Sequence, residues 1–265
     1  VELTQAGQQY YQSIKPYLIG LEQSTLDIIT HKGLGGTLKL GVVPTFATRW
    51  LLPKLHRFDH IHPEITIHLE TSTTPFLFNE NIFDAAIYAG TQQQIDHWPG
   101  TQTHFLMHED VVPVCSPQLI QKYFPDARPT QPSCYDLSAE QIIQLPLLQQ
   151  TTRLNIWQEW CEKHQIEHPQ PFEGQRHELF SMLAVAATHS MGMALIPQML
   201  IKKELESSEL VIATNKTLTG VRSYYLVHSS QENSMLIEKF VDWIQLELKM
   251  KHFLILLELL SEQSY

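Results

Sequence analysis

Apolar residues recur at alternating spacings of three and four positions over the first part of the chain. The recurring residues are Tyr11, Ile14, Leu18, Leu21, Thr25 and Ile28. Thr4 can cap a helix that ends near His31, although Gly7 stands where Glu or Gln would complete a capping box. Because a lone helix leaves such a seam uncovered, residues 1–34 are predicted to form a linker and dimerisation helix that pairs through Tyr11, Ile14, Leu18, Leu21 and Ile28.

Beyond residue 35 the pattern changes to short apolar runs that alternate with amphipathic segments. Strands are predicted at 37–43, 65–69, 85–87, 111–115, 147–148, 193–196 and 224–227. A loop that enters a helix is predicted from Pro44 to Trp50, with Pro53 in the first turn of that helix. Further helices are predicted around Trp157 and Trp160, at 178–189, at 198–206, and from about Ser234 onward. Strands that alternate with helices of this length predict an α/β fold with parallel strands and right-handed crossovers.

Two such α/β series follow one another, which predicts two lobes with a ligand cleft between them. The first lobe is assigned to 35–114 plus 221–250, the second lobe to 115–220, and a C-terminal extension to 251–265. The apolar run of this extension is interrupted by Glu258 and is far shorter than the ~20 residues of a membrane span. We hypothesise that it is a self-association surface; the alternative is that it extends the last helix back onto the body.

The charge balance and the cysteines narrow the classes of function. The 18 basic and 28 acidic residues give a net charge of −10, which weighs against nucleic-acid binding by this chain alone. Three scattered cysteines without a CxxC pair favour a reducing compartment over a disulfide framework. The first residues lack the basic and apolar regions of a signal peptide, so a cytoplasmic protein is expected.

Metal binding and catalysis find little support in the sequence. His56 and His60 stand four residues apart with His62 beside them, and the same spacing recurs at 104/108 and 164/168. No metalloprotease glutamate and no third ligand accompany them, so solvated faces are expected and no metal is assigned. Nucleophile-elbow, dinucleotide and phosphate-loop motifs are absent, and Asp84 and Glu109 are interpreted as single carboxylates. Neither an enzyme nor a cofactor is therefore expected.

Several short segments occur in a recognisable order. They are Leu-Thr-x-Ala-Gly at 3–7, Arg-Trp-Leu-Leu-Pro-Lys-Leu at 49–55 with Phe58 and His62-Pro63, Asp-Ala-Ala-Ile at 84–87, Trp-Pro-Gly at 98–100, Pro-Val-Cys-Ser-Pro at 113–117, Trp157-x-x-Trp160, Gly-Met-Ala-Leu-Ile-Pro at 192–197 and Phe240-x-x-Trp243. Over residues 3–248 this series resembles a LysR-type transcriptional regulator that lacks its winged helix-turn-helix domain. It is similar to the subgroup that includes glycine-cleavage activators and β-lactamase regulators. The chain departs from the family pattern at Tyr88-Ala89, where Arg and an aromatic residue are usual, and at Ser190, where Gly is common.

The resemblance implies a two-lobed effector domain with the type 2 periplasmic-binding-protein fold, preceded by a long linker helix. It also implies a small-molecule effector between the lobes, assembly as a homodimer or homotetramer, and transcription control through promoter DNA held by a domain absent from this chain. A solute-binding protein of a transport system is the alternative, because it would share the fold and the cleft. An enzyme on the same fold is the third possibility.

The candidate effector site lies where loops leave the strands, because ligands of doubly wound sheets bind at the carboxyl ends of the strands. Hydroxyls and backbone N–H groups in the first such loop suit a carboxylate or another polar group. The alternative roles are local: a helix cap for Thr45 or Thr48, ordinary loop polarity for Ser72, and an exposed loop position for His177. The residues assigned to effector binding are Thr45, Phe46, Ala47, Thr48, Thr71, Ser72, Tyr88, Thr151, Thr152 and His177.

Overall fold

The computed structural model describes residues 3–31, 35–73, 83–96, 98–167, 172–230 and 234–262. Its strands are β1 Gly36–Val42, β2 Ile65–Thr71, β3 Ala85–Gly90, β4 Thr101–His108, β5 Val111–Cys115, β6 Leu148–Gln150, β7 Gln175–His177, β8 Ala194–Pro197, β9 Val211–Ile212 and β10 Ser223–Ser229. Its α-helices are α1 Gln5–His31, α2 Pro44–Phe46, α3 Leu52–Ile61, α4 Gln92–Asp96, α5 Pro117–Tyr123, α6 Ala139–Ile142, α7 Ile156–Lys163, α8 Phe180–Thr188, α9 Lys202–Glu206 and α10 Met235–Glu262.

The N-terminal helix α1 begins where the sequence predicts. The backbone N–H of Gly7 donates to the Thr4 hydroxyl at 3.2 Å, so Thr4 caps the helix. Tyr11, Leu18 and Leu21 of the predicted seam are 47%, 57% and 66% exposed on the single chain. Ile14 is half-buried, and the side chain of Ile28 lies outside the described residues.

Five strands form the first sheet in the order β2-β1-β3-β10-β4. Strand β1 lies between β2 and β3 and buries Leu38, Leu40 and Val42, which explains its alternating apolar pattern. Strands β1, β2 and β3 run parallel, as predicted, but β10 runs antiparallel to both β3 and β4. The parallel expectation is wrong for β10, which returns from the second series of elements, and also for β5 and β8 of that series, which pair antiparallel.

The helical segment after β1 contains a π-helical turn at Ala47–Leu51 between α2 and α3. Proline lacks an N–H group and clashes with the carbonyl four residues earlier in a regular helix. The Leu52 N–H bonds to the Ala47 carbonyl, five residues back, directly before Pro53. The widened turn thus lets Pro53 follow within one helical run that begins at Pro44. The prediction of a loop from Pro44 to Trp50 is therefore wrong, because these residues already form α2 and the π-helical turn.

The second series of elements forms two smaller sheets. Strand β5 pairs antiparallel with β8 and β9, and β6 pairs in parallel with β7. Helix α7 packs against this second series of elements through Trp157 and Trp160, which are both fully buried. The Trp157 indole donates to the Leu148 carbonyl at 3.0 Å, which fixes α7 against the end of β6.

Two chain crossings connect the first sheet with the second series and lie side by side. The Glu109 N–H donates to the Arg222 carbonyl at 2.9 Å, and Val111 and Leu218 exchange two backbone hydrogen bonds of 3.0 Å. Because β5 pairs with β8 and β9, we propose crossings at 109–110 and 219–222. The division of the chain into two lobes thus stays a proposal. Its predicted bounds are 35–114 plus 221–250 for the first lobe and 115–220 for the second, and we move the first boundary from 114 to 109–110.

The C-terminal helix α10 packs against α3. Rings of Phe58, Phe240 and Trp243 meet at centroid distances of 5.3 to 5.5 Å. A final helix is therefore confirmed, and its backbone continues through the predicted extension to Glu262. The side chains of residues 250–265 lie outside the description, so self-association through this extension stays a hypothesis.

Candidate functional site

A cavity of about 240 Å³ lies between the first sheet and the second series of elements. Its floor comes from the turn after β1, with Thr45 and Phe46, and from Tyr224 of β10. The facing wall comes from the turn after β6 and from the start of α8. The cavity therefore lies at the carboxyl ends of β1 and β6, where the sequence places the candidate site.

Thr45 connects the two walls of this cavity. Its hydroxyl accepts a hydrogen bond from the backbone N–H of Ser181 at 3.2 Å and lies 3.4 Å from the Ser181 hydroxyl. Leu179, at the N-cap position of α8, provides no side-chain hydrogen bond. Thr45 thus satisfies a backbone donor of a helix in the opposite lobe.

Two further polar contacts span the lobes. The Thr73 hydroxyl donates to a Glu178 carboxylate oxygen at 2.7 Å. The Arg49 guanidinium pairs with the Glu204 carboxylate and donates to the Leu200 carbonyl at 3.2 Å. Polar contacts of Thr45, Thr73 and Arg49 thus join the two walls of the cleft.

The structure brings several of the predicted site residues together and separates others. The cavity is lined by the predicted residues Thr45, Phe46, Tyr88 and Thr152. Phe46 is buried and stacks on Trp50 and Tyr224 at centroid distances of 4.8 and 4.5 Å, so the ring also supports the floor. Tyr88 is half-buried and packs against Trp98 at 5.0 Å.

The other predicted residues lie away from this cavity. Ala47 is fully buried in the core, and the Thr48 hydroxyl bonds back to the Pro44 carbonyl at 3.1 Å. Thr71 is exposed and Ser72 is half-buried at the end of β2. His177 is half-buried in β7 rather than in an exposed loop, and its carbonyl accepts the Thr151 N–H at 3.0 Å.

A second cavity, of about 320 Å³, adjoins the first. It is lined by Thr151, by Glu159 of α7 and by the residues that begin α7. Thr152, Arg153 and Arg222 line both cavities. These three side chains therefore stand between the two spaces.

A buried ionic cluster at the cleft is the feature that sequence reasoning missed. The Arg153 guanidinium donates to a Glu109 carboxylate oxygen at 2.6 Å, and the Arg222 Nε lies 3.8 Å from the other oxygen. Glu109 therefore has two partners, although it is interpreted from the sequence as a single carboxylate. The sequence does not show them because Arg153 and Arg222 are distant from Glu109 along the chain. The turn at 150–153, with Thr151, Thr152 and Arg153, is placed at the cleft from the sequence by the same rule that selects Thr45, but nothing in the sequence joins Arg153 to Glu109.

Burial and charge in this cluster displace two pKa values. Burial raises the pKa of the Tyr224 hydroxyl well above its usual value, and the charge of Glu109, to which the hydroxyl donates, raises it further. Burial also lowers the pKa of Arg222, as does the like charge of Arg153, while Glu109 opposes the change. The cluster is thus partly shielded from water, and its two guanidinium groups contact one carboxylate.

The histidines do not converge on a metal among the described residues. No group of three or more His, Cys, Asp or Glu side chains in that part of the chain is arranged to hold a metal ion. His104 and His228 are near neighbours, with their Nε2 atoms 3.1 Å apart, and burial lowers the pKa of His104. His168 lies outside the described residues.

The family model that matches the chain is the LysR substrate binding domain, over residues 31–249. The chain belongs to the LysR substrate-binding domain family. The glycine cleavage system transcriptional activator of Escherichia coli K12 is 28% identical over 243 residues, covering 91% of this chain and 74% of the relative. The regulator DsdC of the same strain is 28% identical over 253 residues, covering 94% and 77%.

Solved structures of LysR regulators share the fold. The AmpR effector binding domain from Citrobacter freundii superposes with a TM-score of 0.68 at 23% identity, covering 81% of this chain and 98% of that domain. Full-length AphB from Vibrio cholerae, a member of the LysR family, gives a TM-score of 0.62 at 21% identity, covering 92% and 79%. The predicted two-lobed α/β effector domain behind a long helix is confirmed.

The comparisons also decide the broad function. The chain is the effector-binding, regulatory part of a LysR-type transcriptional regulator, as the ordered sequence segments indicate. The relatives named here are transcriptional regulators, and none supports the transport alternative. No helix among the described residues is long and apolar enough to cross a membrane.

Proposed function

We propose that this chain senses a small metabolite in the cleft between its two lobes and reports the binding through its oligomer. The observation that carries the proposal is the cavity of about 240 Å³ whose walls are connected by the hydrogen bond from Ser181 to Thr45. The effector is expected to contact Thr45, Phe46, Tyr88, Thr151 and Thr152. A role in regulation rather than catalysis is supported by the regulator relatives.

The proposed mechanism is a movement of the lobes about the two crossings. An effector shifts a conformational equilibrium only if it binds one state more tightly than the other. The cross-cleft contacts of Thr45, Thr73 and Arg49 differ between a closed and an opened arrangement, because each joins one lobe to the other. Binding at these walls thus provides the difference in affinity that a signal requires.

The partners of this domain follow from the same proposal. Helix α1 pairs with a second copy through its exposed seam, giving a homodimer or a homotetramer. We propose that promoter DNA is contacted by a DNA-binding domain outside this sequence. We also propose that the regulator acts in the cytoplasm. The net charge of −10 is consistent with this division, since phosphate binding needs clustered basic residues.

Effector binding by threonine variants tests the proposal. A metabolite panel is first screened for compounds that raise the Tm of the chain, and the hits are titrated by calorimetry. Thr45→Val and Thr151→Val are expected to weaken binding of a hit, whereas the matched control Thr48→Val, whose hydroxyl bonds within its own helix, keeps wild-type affinity. Unchanged affinity in both test variants contradicts the cleft assignment.

A further inference from the structure

Two arginine side chains stand where the two cavities meet. Arg153 follows β6 in the second lobe, and Arg222 precedes β10 at the return crossing. Both line the cavity of about 240 Å³ and the neighbouring one of about 320 Å³. A ligand that occupies either space therefore meets both guanidinium groups.

The two guanidinium groups share one buried carboxylate. Glu109 lies 2.6 Å from Arg153 and 3.8 Å from Arg222, with its side chain 1% exposed. No other carboxylate lies within 4 Å of either arginine among the side chains that the structure describes. The remaining acids at the cavities are exposed Glu178, held by Thr73, and Glu159. Two guanidinium groups thus contact one carboxylate, and the charge of Glu159 acts on Arg222 from a longer distance.

Neighbouring groups hold both guanidinium groups in fixed positions. The Arg153 guanidinium lies over the Phe180 ring at 4.9 Å, which fixes its plane. Arg222 donates from Nη2 to the Ala89 carbonyl at 2.6 Å. The Nε atoms of both arginines are buried and have no hydrogen-bond acceptor. Buried N–H donors without acceptors are uncommon in folded proteins, so both arginines have unused hydrogen-bonding capacity beside the cavities.

We propose that Arg153 and Arg222 bind a carboxylate group of the effector, and that Glu109 holds the two guanidinium groups in place when the cleft is empty. The inference rests on the proposed effector-sensing function and specifies the chemistry of its ligand. A carboxylate supplies one negative charge and two acceptor oxygens in a plane, which match two guanidinium groups that contact a single carboxylate and the forked donors of arginine.

Matched pairs of simple probes test this inference. Acetate, succinate and benzoate are compared with acetamide, succinamide and benzamide by their effect on Tm and by titration of ¹⁵Nε-labelled arginine signals. The carboxylates are expected to raise the Tm and to shift the signals of Arg153 and Arg222, whereas the amides do neither. Arg222→Gln and Arg153→Gln are expected to weaken carboxylate binding at least about tenfold.

Three further variants separate a binding role from a structural one. Glu109→Gln is expected to bind carboxylates more tightly than the wild type, because it removes the anion that competes for both guanidinium groups. Arg222→Lys retains the charge without the fork, and it covers the case in which Arg222→Gln does not fold; it is expected to bind more weakly than the wild type. Arg128→Gln, at an exposed position with local backbone bonds, is the control that keeps wild-type binding.

Several outcomes overturn the inference without affecting the proposed function. Equal protection by the amides, or unchanged carboxylate binding in Arg153→Gln and Arg222→Gln, shows that the two guanidinium groups do not recognise a carboxylate. Stronger protection by inorganic phosphate than by any carboxylate assigns a different anion. The proposed function fails separately, through unchanged effector affinity in Thr45→Val and Thr151→Val.

Discussion

The hydroxyl of Thr45 accepts a hydrogen bond from the backbone N–H of Ser181 at 3.2 Å, across the cleft between the lobes. Thr45 belongs to α2, directly after β1, and Ser181 belongs to the first turn of α8. One side chain therefore serves as the wall of the cavity, as a cap for a helix of the other lobe, and as a contact that changes when the lobes move.

Removal of the Thr45 hydroxyl is expected to destabilise the unliganded protein. Thr45→Val keeps the size of the side chain but leaves the part-buried backbone N–H of Ser181 without its acceptor, which costs about 1 kcal/mol. Thr45→Ser retains the acceptor and is the matched control. Urea unfolding of the two variants measures the difference, and equal free energies of unfolding contradict the capping role.

Ser190 is expected to tolerate glycine better than alanine. Its φ of 60° lies in the left-handed region, which favours glycine, and its hydroxyl is 2.7 Å from the buried Ser116 hydroxyl. Both substitutions remove the hydrogen bond, but only Ser190→Gly relieves the strain of the backbone. Ser190→Ala is therefore expected to lose about 1 kcal/mol more stability than Ser190→Gly in thermal unfolding. Equal Tm values, or a more stable alanine variant, contradict the strain argument.

The ion pair between Lys239 and Glu64 is expected to affect stability in acid. A hydrogen bond from Lys239, at 2.8 Å, is the largest cause that lowers the pKa of Glu64 to about 2. A folded-state pKa below the unfolded one gives stability that is complete above the unfolded value and is lost as the pH falls toward about 2. Lys239→Met is therefore expected to flatten the loss of stability between about pH 5 and pH 2.

Urea midpoints of the wild type and Lys239→Met, measured at several pH values, test this expectation. Lys202→Met removes an exposed lysine that pairs with Glu206 four residues later, and it serves as the control. Parallel curves for the wild type and Lys239→Met contradict the assignment of the acid effect to this pair.

The seam of α1 is expected to hold the oligomer together. Leu18 and Leu21 are exposed on the single chain, and a charge at either position is costly once the seam is buried against a second helix. The double variant Leu18→Glu and Leu21→Glu is expected to sediment as a smaller species than the wild type. Tyr17→Glu, at an exposed position outside the seam, is the control that keeps the wild-type sedimentation. Unchanged sedimentation of the double variant assigns assembly to another surface.

The sequence predicted those elements whose side chains are buried in a regular pattern. Strand β1 alternates around fully buried Leu38 and Leu40, and Thr4 caps α1 through a contact only three residues away. Strand β4 escaped prediction because it lies at the edge of the first sheet, where Phe105 is exposed and polar residues dominate.

The candidate site was predictable only in part for a related reason. The turn that contains Thr45 follows a clear strand, so its place at a carboxyl end could be inferred from local pattern. The cluster of Glu109, Arg153 and Arg222 depends on two crossings and a turn that meet only in the folded chain. Periodicity along the sequence cannot show that residues so far apart in the chain lie together in the folded protein.

Hydrogen exchange with and without a stabilising metabolite tests the central claim most directly. The effector-sensing account predicts that binding slows exchange at 43–46, at 150–153 and at the start of α8, on both walls of the cleft. The exposed outer turns of α1 serve as the internal reference within the same sample. Protection confined to one wall, or to surfaces away from the cleft, would contradict a metabolite site between the lobes.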